Sequence, residues 1–504
     1  MATNTLLKQT LKDHWVHFVA IGGTGMGALA GLFKSMGAKV TGSDGPIYPP
    51  MSLFLEAQKI PLAQNYTPQN LEGATWGFSE KHPHLVIIGN AISKTNEEAQ
   101  AVEGLAAENK LRRMSFPEAI GEFMIQDRQS FVVAGTHGKT TTTSLMAWAC
   151  EVLGADPGFF IGGIPKNFEC GSRMGTGVFV SEGDEYDTAY WDKGSKFLHY
   201  RPTWVLGTGI EFDHVDIYSS LDQIEASFLK LTEKTSEGWL LIDRVSAPKA
   251  SSVEKIEHSL NKLNKKCFRY GEDPESAYAL LGWERCALPW NERSFGLKFE
   301  VSLQGEKHSF VTPMIGHHNL LNALGVLGVL HASGSIKKIE DFQEVLKTFK
   351  GITRRQDILH ESNDFVLVDD FAHHPTAIKE TVAAIKERFP QYSLAAFFEP
   401  RSATSARNTL YADFVKSFVA ADAVFIQEAT KKNVPENERL KVHDLVKEVV
   451  ERGHTEFATT KKTVEELVSE FLTWKNKKER VLALVMSNGS FSDLNKKLLQ
   501  AVKK

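Results

Sequence analysis

The residues best suited to bind a nucleoside triphosphate lie at positions 131–141, FVVAGTHGKTT. A short β-branched run precedes a glycine-containing turn, then Lys139, then threonines that open a predicted helix. Backbone N–H groups in such a turn bind phosphate oxygens, the lysine neutralises the β- and γ-phosphates, and a hydroxyl at Thr140 binds Mg²⁺. Gly135 and Gly138 are closer together than in the common pattern, and the alternative is a plain turn into a helix. The order of residue types favours ATP binding by Gly135, Thr136, His137, Gly138, Lys139, Thr140 and Thr141.

A second glycine-rich turn lies near the start of the chain. The run VHFVAIGGTGMGALA reads as a buried strand followed by the pattern G-x-G-x-x-A, with Gly23, Gly25 and Ala28 at its fixed positions. A predicted helix and a second strand follow, and that strand ends at Asp44. This order is typical of a dinucleotide-type fold, in which the helix N-terminus binds phosphate and the acid binds a ribose or base. Two phosphate sites in one chain suggest two different nucleotide-bearing ligands.

Two acidic clusters follow predicted strands beyond the first motif. VFVSEGDEYD, at 178–187, contains Glu182, and GIEFDHVD, at 209–216, contains His214. The carboxyl ends of strands in an open α/β sheet form the ligand-binding edge, so both clusters should lie beside Lys139. The alternative is solvated loop charge, or a histidine paired with a carboxylate. Next to a phosphate-binding turn, we predict a Mg²⁺ site made by Thr140, Glu182 and His214.

The predicted fold class is α/β, because strand-like and helical stretches alternate through most of the chain. Residues 295–313 differ and are typical of a β-hairpin, and a helix from about residue 317 stops at Gly334. New runs of alternating strands and helices begin near Arg128 and Lys350, and with the length of 504 residues they give three predicted domains: 1–127, 128–349 and 350–504.

Composition excludes several classes of protein. The formal charge of −4 gives no basic field for nucleic acid, and the four cysteines form no C-x-x-C pair. No apolar run approaches the ~18 residues that span a bilayer. The first residues, MATNTLLKQTLKDHW, lack the apolar core of a signal peptide. We therefore expect a cytoplasmic protein with no nucleic-acid or membrane partner.

Taken together, the motifs resemble those of the Mur ligase family, which makes cytoplasmic peptidoglycan precursors. The resemblance covers nearly the whole chain and is carried in order by GGTGMGALA, GTHGKTTT, IEFDHVD, GHHNLLNA at 316–323, ITRRQD at 352–357 and DDFAHHPT at 369–376. It implies a Rossmann-like N-terminal domain for the UDP substrate, a central P-loop domain for ATP, and a Rossmann-like C-terminal domain that closes over the site.

Within the family, four segments resemble the members that add a whole tripeptide more than those that add alanine: 43–52, 183–200, 398–404 and 485–491. The implied reaction joins L-Ala-γ-D-Glu-meso-diaminopimelate to UDP-N-acetylmuramate in peptidoglycan recycling. The alternative is the ligase that joins L-alanine to the same UDP-sugar. Gly194 stands where the resemblance leads us to expect an arginine, so the peptide could be held differently here.

The resemblance also implies a chemical route. ATP phosphorylates the muramyl carboxylate, and the peptide amine then displaces phosphate from the acyl phosphate. The implied catalytic residues are Lys139, Glu182, His214 and Asp370, with two Mg²⁺ ions, one on Thr140 and Glu182 and one on His214. Further ATP contacts are implied for His318, Asn319, Asn322, Arg355 and Asp370. On residue type alone, the two asparagines could instead cap a helix.

The UDP-sugar and the peptide have their own implied contacts. The UDP substrate is assigned to Gly22, Gly23, Thr24, Gly25, Met26, Gly27, Ser43, Asp44, Asn90 and Asn96. Weaker assignments to the peptide are Lys196, His199, Tyr200, His374 and Arg401, of which Arg401 could equally form a surface ion pair. Two alternative functions remain. A nucleotide-linked dehydrogenase would not use residues 131–141, and a non-catalytic UDP-sugar sensor would not use Lys139, Thr140, Glu182 and His214.

Overall fold

The computed structural model describes residues 11–49, 51–213, 215, 217–428 and 434–502, and the side chains of all of these except residues 292 and 293. Within those ranges the strands form three large sheets and one small hairpin. No helix among the described residues is both long and apolar enough to cross a membrane. His214, one of the predicted metal ligands, lies outside the described residues.

The N-terminal sheet has five parallel strands in the order β3-β2-β1-β4-β5. Its strands are β1 Trp15–Val19, β2 Lys39–Ser43, β3 Leu62–Ala63, β4 Leu85–Ile88 and β5 Arg112–Ser115. The first four helices around it are Thr24–Ser35, Met51–Ala57, Gly73–Trp76 and Glu97–Ala107. β1 and β4 are buried along their length, which explains their continuous apolar sequence. A short helix, Phe116–Ala119, and a π-helical turn, Ile120–Ile125, lead into the central sheet.

The central sheet has ten strands in the order β17-β16-β15-β14-β13-β12-β6-β9-β7-β8. Its strands are β6 Ser130–Ala134, β7 Gly158–Phe160, β8 Ser172–Arg173, β9 Phe179–Gly183, β12 Trp204–Gly207, β13 Gly238–Ile242, β14 Lys266–Gly271, β15 Tyr278–Leu288, β16 Asn291–Leu303 and β17 Glu306–Thr312. The associated helices are Lys139–Val152, Leu221–Lys234, Ala250–Lys262, His317–Ala332 and Phe342–Thr348. β6 lies between β9 and β12, so the turn after β6 meets the ends of both neighbouring strands.

One edge of the central sheet is an antiparallel meander of β15, β16 and β17. The predicted hairpin at 295–313 is its second half. The first strand, β15, was not predicted, because charges interrupt its sequence YALLGWERCAL. A separate hairpin, β10 Asp187–Ala189 with β11 Asp192–Ser195, projects between β9 and a 3₁₀ turn at Lys196–His199.

The C-terminal sheet has six strands in the order β18-β19-β23-β20-β21-β22, with β18 the one antiparallel member. Its strands are β18 Asp357–Glu361, β19 Phe365–Asp370, β20 Ser393–Phe398, β21 Ala423–Gln427, β22 Phe457–Lys461 and β23 Val481–Met486. Apolar cores cover both faces, beneath the helices Pro375–Arg388, Tyr411–Ser417, Val442–Glu451, Val464–Lys475 and Leu494–Val502. The three mainly parallel sheets confirm the predicted α/β class.

Candidate functional site

The turn after β6, residues 135–141, is called the phosphate loop here. Two of its glycines adopt positive φ angles, +147° at Gly135 and +75° at Gly138, where a side chain would be strained. The loop is tied to the end of β12, since the Thr136 N–H donates to the Gly209 carbonyl at 2.9 Å and the Thr208 hydroxyl donates to the His137 carbonyl at 2.7 Å. Gly138 is the N-cap of the helix Lys139–Val152, so the loop presents the positive end of a helix dipole.

The Lys139 ammonium folds back over the phosphate loop. Its Nζ donates to the Gly135 carbonyl at 2.7 Å and to both carboxylate oxygens of Glu185, at 3.0 and 2.8 Å. Burial disfavours the charged lysine, but Glu185 and Asp184 outweigh that effect and raise the Lys139 pKa. The lysine is therefore charged and held at the loop. Sequence reasoning placed Glu185 in an acidic cluster but did not assign it this partner.

Glu182, at the end of β9, lies beside Thr140 of the phosphate loop, as its strand-end position predicts. The Gly162 N–H donates to Glu182 Oε1 at 3.1 Å, and the Arg355 Nη2 donates to the Thr140 hydroxyl at 3.4 Å. Burial raises the pKa of Glu182, and its hydrogen bond with Thr140 opposes that rise. A hydroxyl and a half-buried carboxylate are oxygen donors of the kind that Mg²⁺ prefers.

A cavity of about 330 Å³, called the junction cavity, lies between the phosphate loop and the C-terminal sheet. It brings together eight of the predicted ATP-binding residues: His137, Gly138, Thr141, His318, Asn319, Asn322, Arg355 and Asp370. One wall is the first turn of the helix His317–Ala332. That helix has Gly316 as its N-cap without a side-chain cap, so the alternative of capping asparagines does not describe this turn.

Asn319 and Asn322 lie one helical turn apart and share a face. The Asn322 Nδ2 donates to Asn319 Oδ1 at 3.2 Å, and the Asn319 Nδ2 donates to the Ile315 carbonyl at 2.8 Å. The Asn322 amide borders Gly138, where an added Cβ would lie 3.0 Å from Asn322 Oδ1. Both amides are buried and bonded, which fixes the orientation that they present to the cavity.

The opposite wall comes from the start of the C-terminal sheet. Asp370, at the end of β19, accepts hydrogen bonds from the N–H groups of Gln356 and Ala372, both at 2.7 Å. The Gln356 amide nitrogen also lies 3.3 Å from His318 Nε2. Arg355 stacks over Phe371 at 4.8 Å, and burial lowers the pKa of its guanidinium. Residues from two sheets thus close one cavity.

His137, which lines the junction cavity, meets Glu211 and His374, and the three residues are called the junction cluster. His137 Nε2 lies 2.7 Å from Glu211 Oε2, and His374 Nδ1 lies 3.8 Å from the same oxygen. The Thr376 hydroxyl donates to Glu211 at 2.9 Å. Burial and the neighbouring His137 lower the His374 pKa to about 4. His374, predicted as a peptide contact, therefore stands next to the phosphate loop. Sequence offered no signal for the contact with Thr376.

A second cavity, of about 610 Å³, is called the glycine cleft and opens on the N-terminal sheet. Its lining includes Gly22, Gly23, Thr24, Gly25, Met26, Asp44, Asn90 and Lys196. The Gly22 N–H and the Tyr66 hydroxyl donate to the two carboxylate oxygens of Asp44, at 2.6 and 2.7 Å. Lys196, predicted as a peptide contact, lies in this cleft and donates to Asp184 at 2.8 Å.

The 187–195 hairpin packs against the N-terminal domain beside the glycine cleft. The Asn90 amide donates to Asp187 at 2.8 Å, and the Arg113 guanidinium stacks 3.8 Å above the Trp191 ring. Gly194 lies in the same hairpin, where an added Cβ would meet Asp192 Oδ1 at 3.0 Å. A side chain at position 194 would require the Asp192 carboxylate, which accepts from the Gly194 N–H at 2.8 Å, to shift by a few tenths of an ångström.

Several predicted contacts do not reach either cavity lining. Ser43 is buried in β2, and Gly27, in the helix Thr24–Ser35, packs against Met51 of the next helix. The Asn96 side chain is a helix N-cap that accepts from the Ala99 N–H. His199 pairs with Asp192 at 2.8 Å, and Tyr200 is packed in the apolar core with its pKa raised by burial. Arg401 is exposed, 3.9 Å from Glu399, as the surface-pair alternative expects. Each of these six residues has a packing, capping or ion-pair role in the structure, and their ligand contacts stay predictions.

Comparison with known proteins gives the family. Three family models match successive parts of the chain: the Mur ligase family catalytic domain at 15–128, the Mur ligase middle domain at 133–330, and the Mur ligase glutamate ligase domain at 354–489. A UDP-N-acetylmuramate–L-alanyl-γ-D-glutamyl-meso-2,6-diaminoheptandioate ligase of Haemophilus influenzae is 35% identical over 493 residues, 97% of this chain and 99% of that protein. The chain belongs to the Mur ligase family.

Other relatives of this Mur ligase fall into two groups. A UDP-N-acetylmuramate–L-alanine ligase of Geotalea daltonii is 30% identical over 82% of each chain. The crystal structure of a murein peptide ligase from Psychrobacter arcticus has a TM-score of 0.65 and 29% identity, over 97% of this chain and 98% of that one. The predicted family and three-domain architecture are thus confirmed, and they exclude the dehydrogenase alternative.

Proposed function

We propose that this Mur ligase joins the tripeptide L-Ala-γ-D-Glu-meso-diaminopimelate to UDP-N-acetylmuramate, with ATP as the energy source, in peptidoglycan recycling. One observation carries the choice of substrate. The two relatives named for this reaction are 34–35% identical over 97% of the chain, whereas the alanine ligases are 30–31% identical over 82–86%. A cytoplasmic location follows from the use of ATP and a UDP-sugar.

The junction cavity suits the phosphoryl-transfer step. Its phosphate loop supplies backbone N–H groups, and Lys139 supplies a fixed positive charge next to them. Such chemistry depends on positioning and charge neutralisation more than on covalent help. Thr140 and Glu182 would hold Mg²⁺, which would neutralise charge on the triphosphate, and we assign His214 to a second ion. To reach a phosphate, the Lys139 ammonium must loosen its two bonds to Glu185.

The remaining contacts follow from which cavity each residue lines. His318, Asn319 and Asn322 would bind the adenine, and Arg355 and Asp370 would close on the nucleotide from the C-terminal side. Gly22–Met26, Asp44 and Asn90 would bind the uridine diphosphate in the glycine cleft. The muramyl carboxylate would then reach the γ-phosphate along the 187–195 hairpin. Closure by the C-terminal sheet keeps water from the acyl phosphate until the amine arrives.

The direct test measures ADP release from ATP and UDP-N-acetylmuramate with either the tripeptide or L-alanine as acceptor. We expect turnover with the tripeptide and a new amide product confirmed by mass spectrometry. Turnover with L-alanine and none with the tripeptide would establish the alternative reaction. A protein that binds both nucleotides and joins nothing would be the sensor.

A variant separates the two nucleotide sites. Lys139→Ala removes the buried charge at the phosphate loop, so ADP formation should fall by at least ~10³-fold, a loss of ~4 kcal/mol of transition-state stabilisation. Calorimetric binding of UDP-N-acetylmuramate should persist, because the glycine cleft does not include this residue. Loss of both properties, or of neither, would contradict the division between the cavities.

A further inference from the structure

The junction cluster has the geometry of an incomplete metal site. One ligand atom from each of His137, Glu211 and His374 lies within 4.8 Å of the others. The three residues come from the phosphate loop, the segment after β12 and the segment after β19, so the convergence is made only by the fold. No sequence motif or family match assigns them to a metal.

His374 supplies the observation that points to a ligand. Its side chain is only 4% exposed, and within the described part of the chain neither ring nitrogen has a hydrogen-bond partner. A buried polar group without a partner is destabilising, and an imidazole with both nitrogens unpartnered is open to a ligand. The ring lies 4.7 Å from the His137 ring, and its Nδ1 faces Glu211 at 3.8 Å.

We propose that His137, Glu211 and His374 bind a divalent transition-metal ion, best matched by Zn²⁺, at a site separate from the Mg²⁺ of ATP. Two imidazoles and one carboxylate are a mixed nitrogen and oxygen set, which suits Zn²⁺ or Co²⁺, whereas Mg²⁺ prefers oxygen ligands alone. The fourth position is left to water or a substrate group.

The two distances to Glu211 require only small movements, whereas the two histidine nitrogens, which lie within 4.8 Å of each other, must approach by as much as ~1.3 Å. Zn²⁺ binds nitrogen and oxygen at ~2.0–2.2 Å, so its ligand atoms are ~3–3.5 Å apart. His374 and Glu211 must approach by a few tenths of an ångström from 3.8 Å, while His137 and Glu211 must separate slightly from 2.7 Å. His137 and Glu211 then exchange their hydrogen bond for bonds to the ion. The Thr376 hydroxyl already orients the Glu211 carboxylate, the usual role of a residue behind a metal ligand.

A bound ion would join the phosphate loop to the C-terminal sheet. His137 belongs to the loop, and His374 is the N-cap of the helix Pro375–Arg388. The ion binds only when both segments are in place, so it stabilises the closed arrangement. The site does not depend on the proposed reaction, because it can be measured without ATP or either substrate.

The test is a titration of the full chain with Co²⁺ alone, followed by visible absorption, and with Zn²⁺ in competition with a chromophoric chelator. The parent should bind one ion at this site with d–d bands typical of nitrogen and oxygen ligands. His374→Ala and Glu211→Gln should each lower the affinity at least ~10-fold and abolish those bands, as expected for loss of one ligand. His374→Gln, checked by circular dichroism, serves if the alanine variant does not fold.

Two matched control variants show whether the bound ion occupies the junction cluster. Glu182→Gln removes a carboxylate from the predicted ATP-metal site and should leave the junction bands intact. His443→Ala removes an exposed histidine that has a carboxylate, Glu428, at 3.4 Å, and should also leave them intact. Binding that survives in folded variants of both His374 and Glu211, or that disappears in Glu182→Gln, would overturn the proposal.

Discussion

The conformation of the phosphate loop can be tested by adding a single methyl group at Gly135. Its φ angle of +147° is outside the range of ordinary side chains. A Cβ there would lie 2.2 Å from the Thr208 hydroxyl and 2.7 Å from the Gly209 carbonyl oxygen. The hydroxyl can rotate, but the carbonyl is main chain. Gly135→Ala therefore forces the loop itself to move.

The size of the effect follows from the bonds that this movement breaks. The loop would lose the bonds of Thr208 to His137 and of Thr136 to Gly209, at about 1 kcal/mol each. Backbone strain at a positive φ adds ~1–3 kcal/mol. Binding a triphosphate must restore the original loop at that cost. Because 1.4 kcal/mol corresponds to ten-fold, the affinity for ATP should fall ~100-fold or more.

Calorimetry with a non-hydrolysable ATP analogue measures this change, and thermal unfolding verifies that the variant folds. Gly154→Ala is the matched control: its φ is +77°, and an added Cβ meets nothing within 4 Å. It should bear similar strain at the end of the same helix yet keep its ATP affinity within about two-fold. If Gly135→Ala binds the analogue as tightly as Gly154→Ala, the phosphates do not occupy this loop.

Two further predictions concern stability and thiol chemistry. Glu98→Ala should destabilise the N-terminal sheet by ~1–3 kcal/mol in urea unfolding. It leaves the fully buried His17 Nε2, 2.7 Å away, without a partner and removes one of two acceptors from the buried Asn70 amide, 3.1 Å away. A change below ~0.5 kcal/mol would contradict this. At pH 8 the exposed Cys170 should react with iodoacetamide before the buried Cys150, because burial raises the Cys150 pKa to about 12. Mass spectrometry measures the labelling, and equal labelling of the two thiols would refute the difference.

Local sequence was sufficient where strand, turn and helix follow one another directly. The β-branched run before Gly135 predicted β6, and the threonines after it predicted the helix Lys139–Val152. The rule that parallel strands end at one edge also predicted that Glu182 lies beside the phosphate loop. These features depend on the backbone preferences of a few adjacent residues.

Contacts between distant segments could not be read in the same way. Nothing in the local sequence of Glu185 distinguishes a solvated acid from the buried partner of Lys139. His374 was predicted as a peptide contact, and only the packing of the C-terminal sheet places it beside His137. Tyr200 carries a polar tip, yet its ring packs in the core. These contacts depend on how the three sheets and their helices pack together, which the local sequence does not specify.

The antiparallel meander has a mechanical consequence at its far end. Arg285, on β15, donates at 3.1 and 3.2 Å to the carbonyls of Glu387 and Arg388, in the last turn of the helix Pro375–Arg388. The last carbonyls of a helix have no hydrogen-bond partner within the helix. Here Arg285 of the central sheet supplies that partner from outside the C-terminal sheet. Swinging the C-terminal lobe outward replaces two solvent-accessible bonds with water at little net expense. The contact from Arg285 is thus a polar attachment between the central and C-terminal sheets that can be broken and re-formed at low cost.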